Sequence, residues 1–117
     1  MKMYFNSDKA WGFLLEHGCV FTLRLPNLYA KPNGLVPSGL VDFYRDNAFT
    51  GRTGFKKLVS TVDNKGQNTT SHCAPLSVFV SNSGFASVEE WLAEACRLSG
   101  EQEAWGVFEV RLFEEAV

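Results

Sequence analysis

The sequence has few of the features that mark a secreted, membrane-bound or disulfide-stabilised protein. Its three cysteines, Cys19, Cys73 and Cys96, are an odd number at irregular spacing, which is not typical of a disulfide framework. No apolar run approaches the length of a membrane-spanning helix, and no secretory leader is recognisable before Asn6. We therefore expect a reduced, cytoplasmic protein that makes no membrane contact.

The chain also lacks an excess of positive charge and any internal repeat. Its formal net charge of -2 argues against a dedicated binder of long duplexes, which normally carries a basic surface. The charges are nevertheless uneven, since residues 24–57 hold six Lys or Arg and two Asp, whereas residues 89–115 hold eight Glu and two Arg. Two solvated faces are the favoured interpretation. The alternative is a positive concavity for an anionic ligand such as a nucleotide or RNA.

The length and composition of the chain indicate one small globular domain over residues 1–117. A hydrophobic content of 45% and a charged content of 21% are ordinary for such a domain. Ala10, Phe13, Leu14 and His17 share one face of a helix predicted over 8–17. Asn6 or Ser7 can cap its start, and Gly18 stands where a left-handed residue commonly ends a helix.

Strand patterns fill most of the remaining chain. After Gly18, Cys19, Phe21, Leu23 and Leu25 alternate with Val20, Thr22 and Arg24, so Thr22 and Arg24 share a polar face beside a predicted cleft. A long loop is predicted over 26–39 and a turn over 46–54. Further strands are predicted over 40–44, 55–62, 76–80 and 105–113.

A second helix is predicted after Ser87. Ser87 and Glu90 fit a capping box, in which the two side chains bond to each other's backbone N–H groups. An apolar stripe through Trp91 gives this helix a buried face. We therefore expect Trp91 to lie in the core.

This order of elements resembles the ASCH domain of the PUA-like superfamily. The resemblance lies in a helix ending in Gly18, a strand ending Thr22-x-Arg24, a Phe85-x-Ser87-x-Glu89-Glu90-Trp91 helix and a closing strand at 107–110. It spans nearly the whole chain. It implies an α+β fold, a small mixed β-barrel of about five or six strands with two main helices. It further implies a cleft that binds RNA or a modified nucleobase.

Some ASCH relatives resemble amidohydrolases of acylated cytidine, and others resemble ribonucleases. The amidohydrolase pattern combines a Lys at the start of the first strand, a Thr on that strand and a Glu before the second helix. Thr22 matches the Thr, but the Lys position falls near Cys19 or Val20 and the Glu position near Ser83 or Gly84. Because a Thr hydroxyl without a neighbouring base is a poor nucleophile, the sequence favours binding over catalysis and leaves Thr22 as the one catalytic candidate.

The candidate ligand-binding residues are one hydroxyl and four cations. Two roles are open for Arg24. Its guanidinium could bind a phosphate or a base edge through two hydrogen bonds, or it could form a structural ion pair with Glu109 or Glu16. Basic and aromatic residues also interleave between Tyr44 and Lys57, as in proteins that hold single-stranded nucleic acid. For Phe49 and Phe55 we favour the alternative that both rings are core, and we leave open whether the cations bind a ligand or only extend into water. The full candidate set is Thr22, Arg24, Arg45, Arg52 and Lys56.

We predict no metal site and no cofactor. His17 with Cys19 and His72 with Cys73 supply the right number of zinc ligands, but neither spacing matches the usual paired-ligand patterns.

Three functions remain open at this stage. The first is a module that binds RNA or a nucleotide-like ligand beside Thr22 and Arg24, and a basic cleft at Arg24 and Arg45 would favour it. The second is a hydrolase acting on RNA or a modified nucleoside, which would need an acid or base within reach of Thr22. The third is a protein-interaction domain, favoured by an exposed apolar patch around Leu28, Tyr29, Leu35 and Val36.

Overall fold

The computed structural model describes residues 2–25 and 38–113. It contains two α-helices, α1 (Asp8–His17) and α2 (Val88–Ser99), and one five-stranded mixed sheet. The strands are β1 (Lys2–Tyr4), β2 (Cys19–Arg24), β3 (Ser38–Arg45), β4 (Ala48–Asp63) and β5 (Ala104–Leu112). Two 3₁₀ turns, Leu76–Val78 and Val80–Asn82, precede α2. The predicted α+β class is confirmed.

The sheet has the order β1-β3-β4-β5-β2. β1 runs parallel to β3, and the other neighbouring pairs are antiparallel. This order leaves β1 and β2 as the two edges, so the described sheet is not closed into the barrel that we expected. The guanidinium of Arg24, at the end of β2, donates a hydrogen bond to the backbone oxygen of Tyr4 at the end of β1. A side chain therefore links the two edges of the open sheet.

The first helix has the bounds and caps predicted for it. The hydroxyl of Ser7 accepts from the backbone N–H of Ala10, and Gly18 takes a left-handed conformation with φ of 76° while its N–H bonds to the carbonyl of Leu14. Since a left-handed residue without a Cβ avoids steric strain, glycine suits this position. The chain can therefore turn directly from α1 into β2.

Two predicted elements are wrong. The segment 76–80 forms 3₁₀ turns rather than a strand, with Leu76 buried and Val78 exposed. The predicted turn over 46–54 is a two-residue hairpin at Asp46 and Asn47, both with positive φ, after which β4 begins at Ala48. The short β1 was missed altogether, and the loop predicted over 26–39 lies mostly outside the described residues.

The core fills the space between the sheet and the helices. It is built largely from aromatic and branched side chains that are less than 2% exposed, among them Phe5, Phe43, Trp105 and Phe108. Trp91 is 3% exposed and confirms the buried stripe of α2. Within the described residues no helix is long and apolar enough to cross a membrane.

Candidate functional site

One cavity of the described structure lies between β2, α2 and the turn from β1 to α1. It encloses about 210 Å³. Thr22 and Arg24 both line it from β2. The apolar and aromatic lining residues are Phe5, Ala10, Leu23, Phe85, Trp91, Ala95 and Leu98, and the other lining residues are Tyr4, Asn6, Ser7, Glu94 and Ser99.

The α2 wall of the cavity follows from helical periodicity. Trp91, Glu94, Ala95 and Leu98 are spaced so that they fall on one face of the helix. The start of this helix is fixed by Ser87, whose hydroxyl accepts from the backbone N–H of Glu90 at 3.1 Å. The position of Glu94 in the cavity therefore follows from the N-cap at Ser87, about two turns earlier.

The β2 wall differs from the prediction in how deeply it is buried. Val20 and Thr22 are 0% and 6% exposed, so the face that was read as polar is covered. The opposite face is covered too, since the ring of Phe21 lies 4.9 Å from that of Phe79 in the 3₁₀ turns. The Thr22 hydroxyl is thus largely buried, where hydrogen bonds are stronger than in water, whereas Arg24 is half-buried.

Arg24 has structural contacts in addition to its place in the cavity. Its guanidinium bonds to the oxygen of Tyr4 and lies 4.8 Å from the ring centre of Phe5, over that ring. The expected ion-pair partners form other contacts, since Glu109 pairs with Arg111, and Glu16 lies 3.9 Å from His17. Arg24 is held in a fixed orientation at the rim of the cavity by backbone and ring contacts.

Glu94 is the residue of this site that the sequence analysis missed. It lines the same cavity as Arg24, and its carboxylate is held by the guanidinium of Arg97, whose Nε donates over 2.6 Å. The helical spacing from Trp91 was the signal that could have found it. A cavity with one cation, one carboxylate and a hydroxyl presents both hydrogen-bond donors and acceptors to a ligand.

The other three predicted cations lie elsewhere. Arg45 pairs with Asp8 at the start of α1. Arg52 lines a second and larger cavity, of about 600 Å³, together with Arg111. Lys56 is fully buried, with its ammonium 5.2 Å from the ring centre of Phe108. The structure therefore brings together Thr22 and Arg24 but does not add these cations to their cavity.

The aromatic residues between Tyr44 and Lys57 are also less buried than we favoured. Phe49 is 53% exposed and Phe55 is half-buried, so the interpretation of both rings as core is wrong. The hairpin at Asp46 and Asn47 explains the difference, because it places Phe49 on β4 opposite Tyr44.

The cysteines and histidines form no composite metal site in the described part of the chain. There, no group of three or more His, Cys, Asp or Glu residues is arranged to hold a metal ion. The apolar patch proposed around Leu28, Tyr29, Leu35 and Val36 lies outside the described residues.

Comparisons with known proteins returned no match. No protein-family model matches the chain, and neither a curated protein nor a solved structure matches it.

Proposed function

We propose that this protein binds a single nucleobase, as a nucleotide-like ligand or as part of an RNA, in the cavity beside Thr22 and Arg24. One observation carries the proposal: a hydroxyl, a guanidinium and the Glu94 carboxylate share a small cavity whose walls include Phe5 and Trp91. Base edges combine donors and acceptors, and proteins that read unpaired bases combine hydrogen bonds with aromatic surfaces.

The size and charge of the cavity favour the base over the phosphate. Pockets for drug-sized ligands enclose about 300–1,000 Å³, and this cavity, at about 210 Å³, is smaller. The Arg24 guanidinium is held at the rim, whereas the Glu94 carboxylate inside the cavity offers an acceptor that the amino group of a base can use and a phosphate cannot. The base therefore enters, and the sugar and phosphate stay at the rim.

The ASCH-like interpretation is part of the same proposal. It is supported by the left-handed Gly18 between α1 and β2, the Thr22-x-Arg24 end of β2, and the Ser87-capped helix that borders the cavity. It is also supported by the antiparallel pairing of β2 with β5. In this interpretation the Arg24 contact with Tyr4 completes a pseudobarrel without backbone pairing between the edge strands.

The test is a calorimetric titration at fixed salt with the four common nucleosides, their 5′-monophosphates and ribose 5-phosphate. We expect at least one nucleoside to bind about as tightly as its monophosphate, and ribose 5-phosphate not to bind. Glu94→Gln should weaken binding about 10- to 100-fold, since hydrogen bonds to charged groups contribute about 1.5–3 kcal/mol. Glu89→Gln, on the exposed side of α2, is the matched control.

Two results would overturn the proposal. One is the absence of any nucleoside or nucleotide binding, and the other is ribose 5-phosphate binding as well as the nucleotides. Thr22→Val keeps the shape of the side chain and removes its hydroxyl, so it tests the site without disturbing the edge contact of Arg24.

The hydrolase alternative is tested on the same protein. Glu94 lines the same cavity as Thr22, but its carboxylate is paired with the Arg97 guanidinium. We therefore expect no useful deacylation of acylated cytidine. Efficient turnover that Thr22→Val abolishes would replace the binding proposal with an enzymatic one.

A further inference from the structure

Three aromatic residues form a row across three neighbouring strands. Tyr4 on β1 is in register with Tyr44 on β3, and Tyr44 is in register with Phe49 on β4. The ring centres lie 5.4 Å apart for the tyrosine pair and 5.5 Å apart for Tyr44 and Phe49. We call Tyr4, Tyr44 and Phe49 the aromatic row.

The aromatic row lies on the sheet face opposite the core. Met3 and Phe43, the neighbours of Tyr4 and Tyr44 along their strands, are both fully buried, and side chains alternate between faces along a strand. Phe49 is 53% exposed, and the two tyrosines are half-buried. Aromatic surface that the fold could have buried is therefore presented outward.

The row is continuous with the proposed base-binding cavity. Tyr4 lines that cavity, and its backbone oxygen accepts the hydrogen bond from Arg24. A polymer whose base occupies the cavity would leave it beside Tyr4 and meet Tyr44 and Phe49 next.

The charges around the row are mixed, and Lys2 is the cation that lies against one of its rings. The Lys2 ammonium lies 5.0 Å from the ring centre of Tyr44, and Arg45 neighbours Tyr44 on β3. Asp42 and Asp46 add negative charge on the same hairpin, and Asp8 pairs with Arg45. Ring surface, rather than a large positive field, is the dominant feature.

We propose that the aromatic row is a stacking platform for a single-stranded nucleic acid whose terminal or flipped base occupies the cavity. This inference rests on the proposed function and extends it from a base to a strand. Stacking on aromatic side chains is tolerant of sequence, because every base has a π-face.

The row suits unpaired bases rather than a duplex. Bases in a duplex are paired and stacked inside the helix, whereas bases that stack on aromatic side chains are splayed out, as they are in single strands bound by proteins. The net charge of -2 also disfavours a duplex, because it provides little neutralisation of paired phosphate chains.

The experiment compares ligands of different length on the full chain. Fluorescein-labelled random-sequence hexanucleotides of RNA and of DNA are titrated by anisotropy, and the four nucleoside monophosphates are titrated by calorimetry. We expect the RNA hexamer to bind at least about tenfold more tightly than any monophosphate, since each stacked base adds affinity. The DNA arm shows whether the 2′-hydroxyl contributes.

The variants separate the row from the cavity. Phe49→Ser should weaken hexamer binding about 5- to 100-fold and leave monophosphate binding unchanged. Leu40→Ser is the matched control, because Leu40 is apolar and 67% exposed on β3 but is not part of the row. Phe49→Trp should retain hexamer binding.

The possible failures are distinguishable. Monophosphate binding with no gain for the hexamer, or equal losses for Phe49→Ser and Leu40→Ser, would overturn the platform and leave the cavity proposal standing. Absence of binding to every ligand would overturn both. Self-association by sedimentation that Phe49→Ser abolishes, with hexamer binding unaffected, would instead assign the row to contact with a second copy of this chain.

Discussion

At the scale of single residues, Cys73 has an unusual environment for a thiol. Its Sγ accepts a hydrogen bond from the Thr70 hydroxyl at 3.3 Å and lies 3.5 Å from the Thr61 hydroxyl. Hydrogen bonds from Thr61 and then Thr70 lower the pKa of Cys73 to about 6. Burial, by contrast, raises the pKa of Cys19 above its ordinary value.

These opposite shifts predict the order in which the two thiols react. A pKa below neutrality means that Cys73 is mostly thiolate at pH 7 and loses that form as the pH falls through about 6. With iodoacetamide, we expect the rate at Cys73 to rise with a midpoint near pH 6, and Cys19 to react only at higher pH. Peptide mass spectrometry assigns each adduct.

Thr70→Val should move the midpoint of Cys73 upward, because it removes a hydrogen bond to the thiolate. Ser71→Ala is the control, since Ser71 is the exposed neighbour. A Cys73 midpoint near the value of an ordinary thiol, with no response to Thr70→Val, would show that these hydroxyls do not stabilise the thiolate.

At the scale of elements, the N-cap of α2 determines which residues of the helix line the cavity. The Ser87 hydroxyl accepts from Glu90 N–H, and the helix then presents Trp91 and Glu94 to the cavity. Ser87→Ala should lower the free energy of unfolding by about 1 kcal/mol, the usual effect of losing an N-cap. Urea denaturation measures this change.

Ser81→Ala, at an exposed serine before α2, should leave the free energy of unfolding almost unchanged. Ser87→Asp should restore most of the stability, because aspartate also caps helices well. Equal stabilities for Ser87→Ala and Ser81→Ala would contradict the role of this cap.

The elements that the sequence could predict are those with local signals. The bounds of α1 follow from the cap at Ser7, the apolar period and Gly18, and all three are encoded within a few residues. The segment after Pro75 was wrongly predicted to be a strand, because its apolar residues recur at every second position as they do in a strand. In the structure Leu76 is buried and Phe79 packs against the core, a three-residue spacing that suits a 3₁₀ turn.

The aromatic row could not be predicted from the sequence, because it depends on contacts between residues that are far apart in the chain. Phe49 faces Tyr44 only because Asp46 and Asn47 both adopt positive φ, as a type I′ hairpin requires. Asp-Asn is a weaker hairpin signal than Asn-Gly or Asp-Gly, so the sequence did not identify the turn. The third member, Tyr4, lies on a strand of three residues, too short to show a period.

At the scale of the whole molecule, the described sheet is open, and the Arg24 side chain links its two edges. The sequence placed Thr22 and Arg24 together because they share strand parity, a local property. It could not place Tyr4 beside them, since β1 reaches its position through parallel pairing with β3, about forty residues away in the chain. The cavity therefore combines one wall that could be predicted with another that could not.

This arrangement predicts that Arg24 stabilises β1 specifically. Arg24→Met keeps an unbranched side chain but removes the guanidinium, which donates to the backbone oxygen of Tyr4 and lies over the ring of Phe5. We expect the free energy of unfolding to fall by about 1–3 kcal/mol, the usual effect when a buried partner is left unsatisfied. Hydrogen exchange should also accelerate at the Phe5 amide, which bonds to the Tyr44 oxygen at 2.9 Å.

Arg45→Met is the matched control. Arg45 pairs with Asp8, whose side chain is 93% exposed, and pairs in such surroundings contribute about 0–1 kcal/mol. If Arg24 links the sheet edges, its replacement lowers protection in β1 more than in β4 and β5, whereas Arg45→Met changes none of the three. Uniform loss of protection across all strands, or equal stability of the two variants, would mean that β1 is held by Met3 and Phe5 in the core alone. The row that begins at Tyr4 would then be anchored independently of the cavity.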